Sequence, residues 1–353
     1  MRRLLNASIL CLVAIAALPA AGAAAQATTA GAAEPPPAYG DRADVRAFVD
    51  RMADRHGFDR AQLQALLADA RYQQTIIERI SRPAERTLTW AQYRRIFLGS
   101  DRIEQGTAFW GEHADTIARA AARFGVAPEY LVAILGVETR YGRLRGDWRV
   151  LDALATLAFD YPPRGEFFGR ELEEYLLLTR EEGLDPRALT GSYAGAMGYG
   201  QFISSSYRAY AVDFDGDGVR DIRDDPEDAI GSVANYFARH GWRTGGEVAR
   251  RVSVVDGGDH ADGLAALENR GLKPSLDVEA LTAAGVRGLD GLASDADATL
   301  WRLEGPEGEE RVVGLHNFYV ITRYNHSHLY ALAVHDLAMA IAAARSEALA
   351  RGD

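Results

Sequence analysis

Residues 128–142 read Pro-Glu-Tyr-Leu-Val-Ala-Ile-Leu-Gly-Val-Glu-Thr-Arg-Tyr-Gly, and this stretch decides the fold. Pro128 suits the first turn of a helix, where its missing N–H is not needed. Leu131, Ile134, Leu135 and Glu138 then recur at i, i+3, i+4 and i+7, the spacing of one helix face. Glu138 therefore lies on the inward stripe, near a helix end that Gly142 marks. A buried carboxyl is costly to ionise, so its pKa is expected to rise toward the range a general acid needs. The competing reading is a buried Glu paired with Arg140 or Arg143 for structure alone.

Helical spacing extends on both sides. Val45, Phe48, Val49 and Met52 form one apolar face. Asp59 is placed to cap a second helix carrying Leu63, Leu66 and Leu67. One helix is expected from about Ile103 to Phe124, ended by Gly125, and others over 171–179, 228–239 and 329–345. Residues 244–313 differ: Gly and Asp are frequent, and short apolar runs such as 252–255 and 300–303 suggest strands. No solenoid-type repeat is evident. The fold class is mainly α, with a small β-containing insertion.

The chain has 353 residues, with 39 Lys+Arg against 50 Asp+Glu and a formal charge of −11. That balance argues against a nucleic-acid partner, which needs a basic face. With 48% hydrophobic and 25% charged residues, the composition is that of a folded protein. Arg2 and Arg3, the apolar run 4–18 and Ala23-Ala24-Ala25 form an export signal over 1–25. The reading is export to an oxidising compartment. Leu10 stands before Cys11, where a lipoprotein signal wants a small residue, which argues against a lipid anchor. Cys11 is the only cysteine, so the mature chain has no thiol for a disulfide or a nucleophile. Residues 26–43 include Pro35-Pro36-Pro37 and read as a flexible linker.

Two further motifs carry chemistry. Residues 191–202, Gly-Ser-Tyr-Ala-Gly-Ala-Met-Gly-Tyr-Gly-Gln-Phe, place glycines at 191, 195, 198 and 200 among aromatics and amides. Small residues let backbone approach a ligand closely, and rings and amides are groups that hold sugars; an ordinary glycine-rich loop is the bland alternative. No Gly-Lys-Ser/Thr follows, so it is not a phosphate loop. Asp213, Asp215 and Asp217, then Gly218 and Val219, match the start of an EF-hand-type calcium loop, with the Val219 carbonyl as a further donor. The twelfth position holds Asp224 rather than Glu, which leaves Asp224, Asp225 and Asp228 as closing ligands, Asp228 favoured. A structural clip is expected rather than a sensor. His326 and His328, two apart, would share a side only on a strand, so no metal pair is expected there.

Together these segments resemble the B-type lytic murein transglycosylases, glycoside hydrolase family 103. The resemblance runs from about residue 48 to 345. It rests on 137–142, 151–157, 191–201, the calcium loop, 229–236 and 322–327. It implies a lysozyme-like catalytic core over 120–243, an α domain from 44–119 with 316–346, and a small β-containing domain over 244–315. It implies that Glu138 is the single catalytic acid/base, cleaving between N-acetylmuramic acid and N-acetylglucosamine without water. It also implies that Ser192, Gln201, Tyr236, Tyr324, Asn325 and Tyr330 line the sugar groove. Tyr93 would supply an aromatic wall, and Arg164 would meet a peptide or lactyl carboxylate. The partner would be peptidoglycan glycan strands and the protein a monomer with structural calcium and no organic cofactor; wall synthases or other wall enzymes leave no mark in the sequence. A muramidase would want a second carboxylate, for which Asp152 is the nearest candidate, and a noncatalytic binding protein would not need Glu138.

Overall fold

Val45, Phe48, Val49 and Met52 lie on the buried face of the helix Ala43–His56. Leu63, Leu66 and Leu67 do the same on Arg60–Ala68, whose cap Asp59 accepts the Gln62 N–H at 2.8 Å. The structure, a computed structural model, describes residues 38–81, 87–255 and 261–351. The export signal with Cys11, and the linker up to residue 37, lie outside the described residues. Among the described residues no single helix is long and apolar enough to cross a membrane.

The hub is the helix Pro128–Thr139. The expected pattern was one apolar stripe, but every residue from Tyr130 to Thr139 is buried. A helix apolar all round is a core helix, and here Ser100–Glu112, Ala114–Phe124, Pro226–Arg239 and His328–Arg351 pack around it. The single helix expected over 103–124 is two, Ser100–Glu112 and Ala114–Phe124, broken at His113 (φ −111°). The break lets the first piece pack on His328–Arg351 and the second on Pro226–Arg239. On the other side, Val150–Asp160 packs along Gly165–Glu181. Tyr39 and Arg42 tie the start of the described chain to this pair through Asp160, at 2.7 and 2.5 Å.

The apolar runs at 252–255 and 300–303 fall in an antiparallel five-stranded sheet, ordered Leu276–Asp277, Asp297–Gly305, Gly308–Gly314, Ala249–Val254, Val286–Arg287. Strand side chains alternate between faces, and both faces here are covered. Ala298, Leu300 and Val313 join a small cluster with Val278, Leu281 and Val286. Trp301, Leu303 and Val312 point into the main core.

His328 stacks on Trp301, with ring centroids 4.2 Å apart and the planes parallel to 1°, so the last helix clamps the sheet. Burial pushes the His328 pKa down to about 4. The unfolded chain, with an ordinary histidine, then binds more protons between pH 6.5 and 4, and stability falls as pH falls through that window. At most about 3 kcal/mol is at stake from this group. His240 and His335 shift the same way by burial, so the comparison must be with a variant. His328→Phe is expected to flatten the loss of stability between pH 6.5 and 4, measured by urea unfolding; an unchanged slope would contradict the assignment.

Candidate active site

Glu138 occupies the last turn of the hub helix and is 5% exposed. The Tyr330 hydroxyl, from the helix His328–Arg351, donates to its Oε1. The helix ends earlier than Gly142: Arg140 (φ 54°) and Tyr141 (φ 61°) are already left-handed, and Gly142 (φ 83°) follows. Left-handed backbone is uncommon and strained for such residues, so the exit needs a clamp. Ser100–Glu112 supplies it. Arg140 reaches Gln105 at 2.9 Å and also pairs with Asp101. The Tyr141 hydroxyl donates to the Arg102 carbonyl at 2.9 Å, and its ring stacks on Phe109. Gly136 makes room for that ring, since an added Cβ would stand 2.6–2.7 Å from it. Arg140 is thus committed to the clamp, which removes it as a structural partner of Glu138.

The glycine-rich stretch is a tight hairpin. Met197 and Phe202 exchange backbone hydrogen bonds at 2.9 and 3.0 Å around Gly198 to Gln201. Gly198 has φ 74° and lies against the Ile222 carbonyl so closely that no Cβ fits. Thr139 latches the hairpin to the hub helix: its hydroxyl donates to the Tyr199 carbonyl at 2.8 Å and accepts the Gly142 N–H at 2.9 Å. The Tyr324 hydroxyl donates to the Gly200 carbonyl. The Tyr236 hydroxyl donates to the Arg323 carbonyl at 2.6 Å, and its ring meets Tyr324 at 4.8 Å. Four segments distant in sequence therefore converge at the Glu138 end of the hub helix. Thr139 was missed by the sequence reading, though its place beside Glu138 was the available signal.

The remaining expected residues take different places. Ser192 is buried, and its hydroxyl accepts the Ala194 and Ala196 N–H groups at 3.3 and 3.1 Å. Gln201 donates to the Arg145 and Gly198 carbonyls at 3.1 and 3.0 Å. Asn325 is 1% exposed. Tyr93 is fully buried beside Phe97, ring centroids 5.2 Å apart. The Arg164 guanidinium lies over Phe167 and Phe168, at 4.2 and 5.1 Å. Asp152, the candidate second carboxylate, accepts the Arg71 N–H and pairs with Arg149 at 2.6 Å. It is bound into the scaffold.

In the acidic loop, carboxylate oxygens of Asp213, Asp215 and Asp217 all lie within 4.8 Å of one another. Each is also fixed by a loop N–H: Gly216 and Gly218 donate to Asp213, Asp217 to Asp215, and Val219 to Asp217. Pre-positioned hard oxygens fit a calcium ion. Asp224 pairs with Arg145 at 2.9 Å, and Asp225 caps Pro226–Arg239. Asp228 braces the loop, accepting Phe214 and Asp221 N–H groups at 2.6 Å each. Each of its oxygens keeps a second lone pair.

A buried acid closing a core helix beneath a latched hairpin, in a mainly helical fold with a five-stranded antiparallel sheet, is a lysozyme-like arrangement. The transglycosylase SLT domain family matches residues 40–339, and the chain belongs to it. It is 45% identical over 316 residues to the membrane-bound lytic murein transglycosylase B of Escherichia coli K12, covering 87% of this chain and 85% of that protein. The soluble lytic transglycosylase SltB1 of Pseudomonas aeruginosa superposes with a TM-score of 0.81 at 50% identity, over 86% of this chain and 99% of that one. The Escherichia coli lytic transglycosylase Slt35 in complex with calcium superposes with a TM-score of 0.79 at 45% identity, over 87% and 95%.

Proposed function

We propose that this protein is an exported lytic transglycosylase. It cleaves the bond between N-acetylmuramic acid and N-acetylglucosamine in peptidoglycan strands and leaves a 1,6-anhydro end. The observation that carries the reading is Glu138, buried at the helix end with Tyr330 on its Oε1. The Tyr330 hydroxyl orients the carboxyl, and protonated Glu138 donates to the glycosidic oxygen. The carboxylate then takes the proton of the muramic C6 hydroxyl as that oxygen attacks C1. Glycosidases of the usual kind use two carboxylates. One suffices here because the nucleophile belongs to the substrate and acts at high effective concentration. The commitment of Asp152 to Arg149 supports this over hydrolysis.

The reading assigns sugar contacts to Ser192, Gln201, Tyr236, Tyr324 and Asn325, and a substrate carboxylate to Arg164. Tyr93 is assigned as an aromatic wall from the α domain. The catalytic core spans 120–243, flanked by the α domain and the β-containing domain expected from the resemblance. The calcium loop uses Asp213, Asp215, Asp217, the Val219 carbonyl and Asp228; bound calcium supplies structural cross-linking and no chemistry. The protein works as a monomer in the periplasm after loss of its signal. The Escherichia coli relative is named membrane-bound, whereas Leu10 before Cys11 favours a soluble form here.

Replacing Glu138 by Gln is expected to lower turnover of purified peptidoglycan by at least about a hundredfold while thermal unfolding stays cooperative. Turnover persisting in a folded E138Q protein would overturn the mechanism. Calcium is expected to raise the melting temperature with concentration, because it binds the native loop alone. Asp213→Ala should abolish that rise, and a rise that persists would place the ion elsewhere.

A further inference from the structure

The cleavage step gives no task to the side chain next to Glu138. Thr139 closes the hub helix and is 1% exposed, too buried to touch a sugar. Neighbouring residues on a helix point about 100° apart, which turns Thr139 from the Glu138 side toward the hairpin.

A threonine inside a helix can donate its hydroxyl to the carbonyl four residues back. For Thr139 that acceptor, on Leu135, stands at 3.3 Å, whereas the Tyr199 carbonyl of the hairpin stands at 2.8 Å. A hydroxyl has one hydrogen to give, and the shorter contact takes it. Its oxygen receives the Gly142 N–H at 2.9 Å, and the Thr139 carbonyl receives the Leu144 N–H at 2.9 Å. Thr139 therefore holds both the turn that leaves the helix and the hairpin that faces it. The hairpin has little slack at this point, because the Tyr199 N–H is itself bound to the Ile222 carbonyl at 3.1 Å. Gly142 leaves room for the Tyr199 ring, which a Cβ would strike.

We propose that Thr139 is a positioning residue for Glu138: its hydroxyl fixes the acid against the hairpin, and so aims the carboxyl at the glycosidic oxygen. The proposal rests on the lytic transglycosylase reading. Thr139 acts through Glu138 and touches no reacting atom. A misplacement of roughly 1 Å costs on the order of a hundredfold in rate. The hairpin keeps its other ties, from Tyr324 to the Gly200 carbonyl and from Tyr199 to Ile222, so substrate binding is spared.

Valine has the shape of threonine without the hydroxyl. In T139V, kcat on purified peptidoglycan is expected to fall about tenfold or more, with KM changed less than about twofold. T139S, which restores the hydroxyl, is expected to recover most of kcat. T139A serves where T139V does not fold, with the same split expected. Loosening the hairpin is a separate effect, and Ser205→Ala isolates it: Ser205, just beyond the hairpin, donates its hydroxyl to buried Glu171 at 2.8 Å. S205A is expected to lower the melting temperature without splitting kcat from KM. An unchanged kcat in T139V, a fall matched by S205A, or no recovery in T139S would overturn the proposal. Hydrogen exchange at the Gly142 amide reads the latch without turnover. T139V is expected to speed it about tenfold or more and T139S to leave it near wild type, and equal rates in all three would remove the latch. Wild type that turned over no peptidoglycan would sink the lytic transglycosylase reading instead, with exchange still deciding the latch.

Discussion

A carboxyl group on a helix that is buried on every side is the constraint on which the rest of this structure depends. Isolation from water disfavours the ionised form of such a group. The fold must still present it at an edge where a ligand can come, and the helix Pro128–Thr139 does so by stopping abruptly. Two left-handed, non-glycine residues, Arg140 and Tyr141, turn the chain away within one residue of Thr139. Each such conformation costs on the order of 1 kcal/mol or more, and the clamp from Ser100–Glu112 offsets it through Gln105, Asp101, Arg102 and Phe109. The surrounding helices therefore do more than cover an apolar surface, because they hold the acid at the end of its helix.

The same logic ties the acidic loop to the site. The Ile222 carbonyl, just beyond the aspartates, accepts the Tyr199 N–H at 3.1 Å, and Gly198 packs against that carbonyl. Asp228 holds both ends of the loop by its two oxygens. Arg145 reaches the Arg223 carbonyl and Asp224, while its own carbonyl accepts from Gln201. Loop, Arg145 and hairpin thus share one hydrogen-bonded network. Ordering the loop with an ion would order the hairpin above Glu138, which gives a structural ion a route to activity without any part in the chemistry.

Much of this was legible in the sequence because it is local. Apolar spacing marked the helices, Asp59 its cap, and the strand runs at 252–255 and 300–303 the sheet. The resemblance to B-type transglycosylases supplied the lysozyme-like core and singled out Glu138. What was not legible depends on partners far away in the chain. The all-round burial of Pro128–Thr139 needs four other helices. The break at His113 needs two packing surfaces in different directions. The early exit at Arg140 cannot be seen when Gly142 is the only conspicuous breaker.

The central claim is that Glu138 alone drives a cleavage in which the substrate supplies the nucleophile. Mass spectrometry of the soluble products from purified peptidoglycan tests it most directly. The account predicts muropeptides ending in 1,6-anhydro-muramic acid, each one water lighter than its hydrolysed counterpart. Products with ordinary reducing ends would show that water attacks C1, and would contradict it.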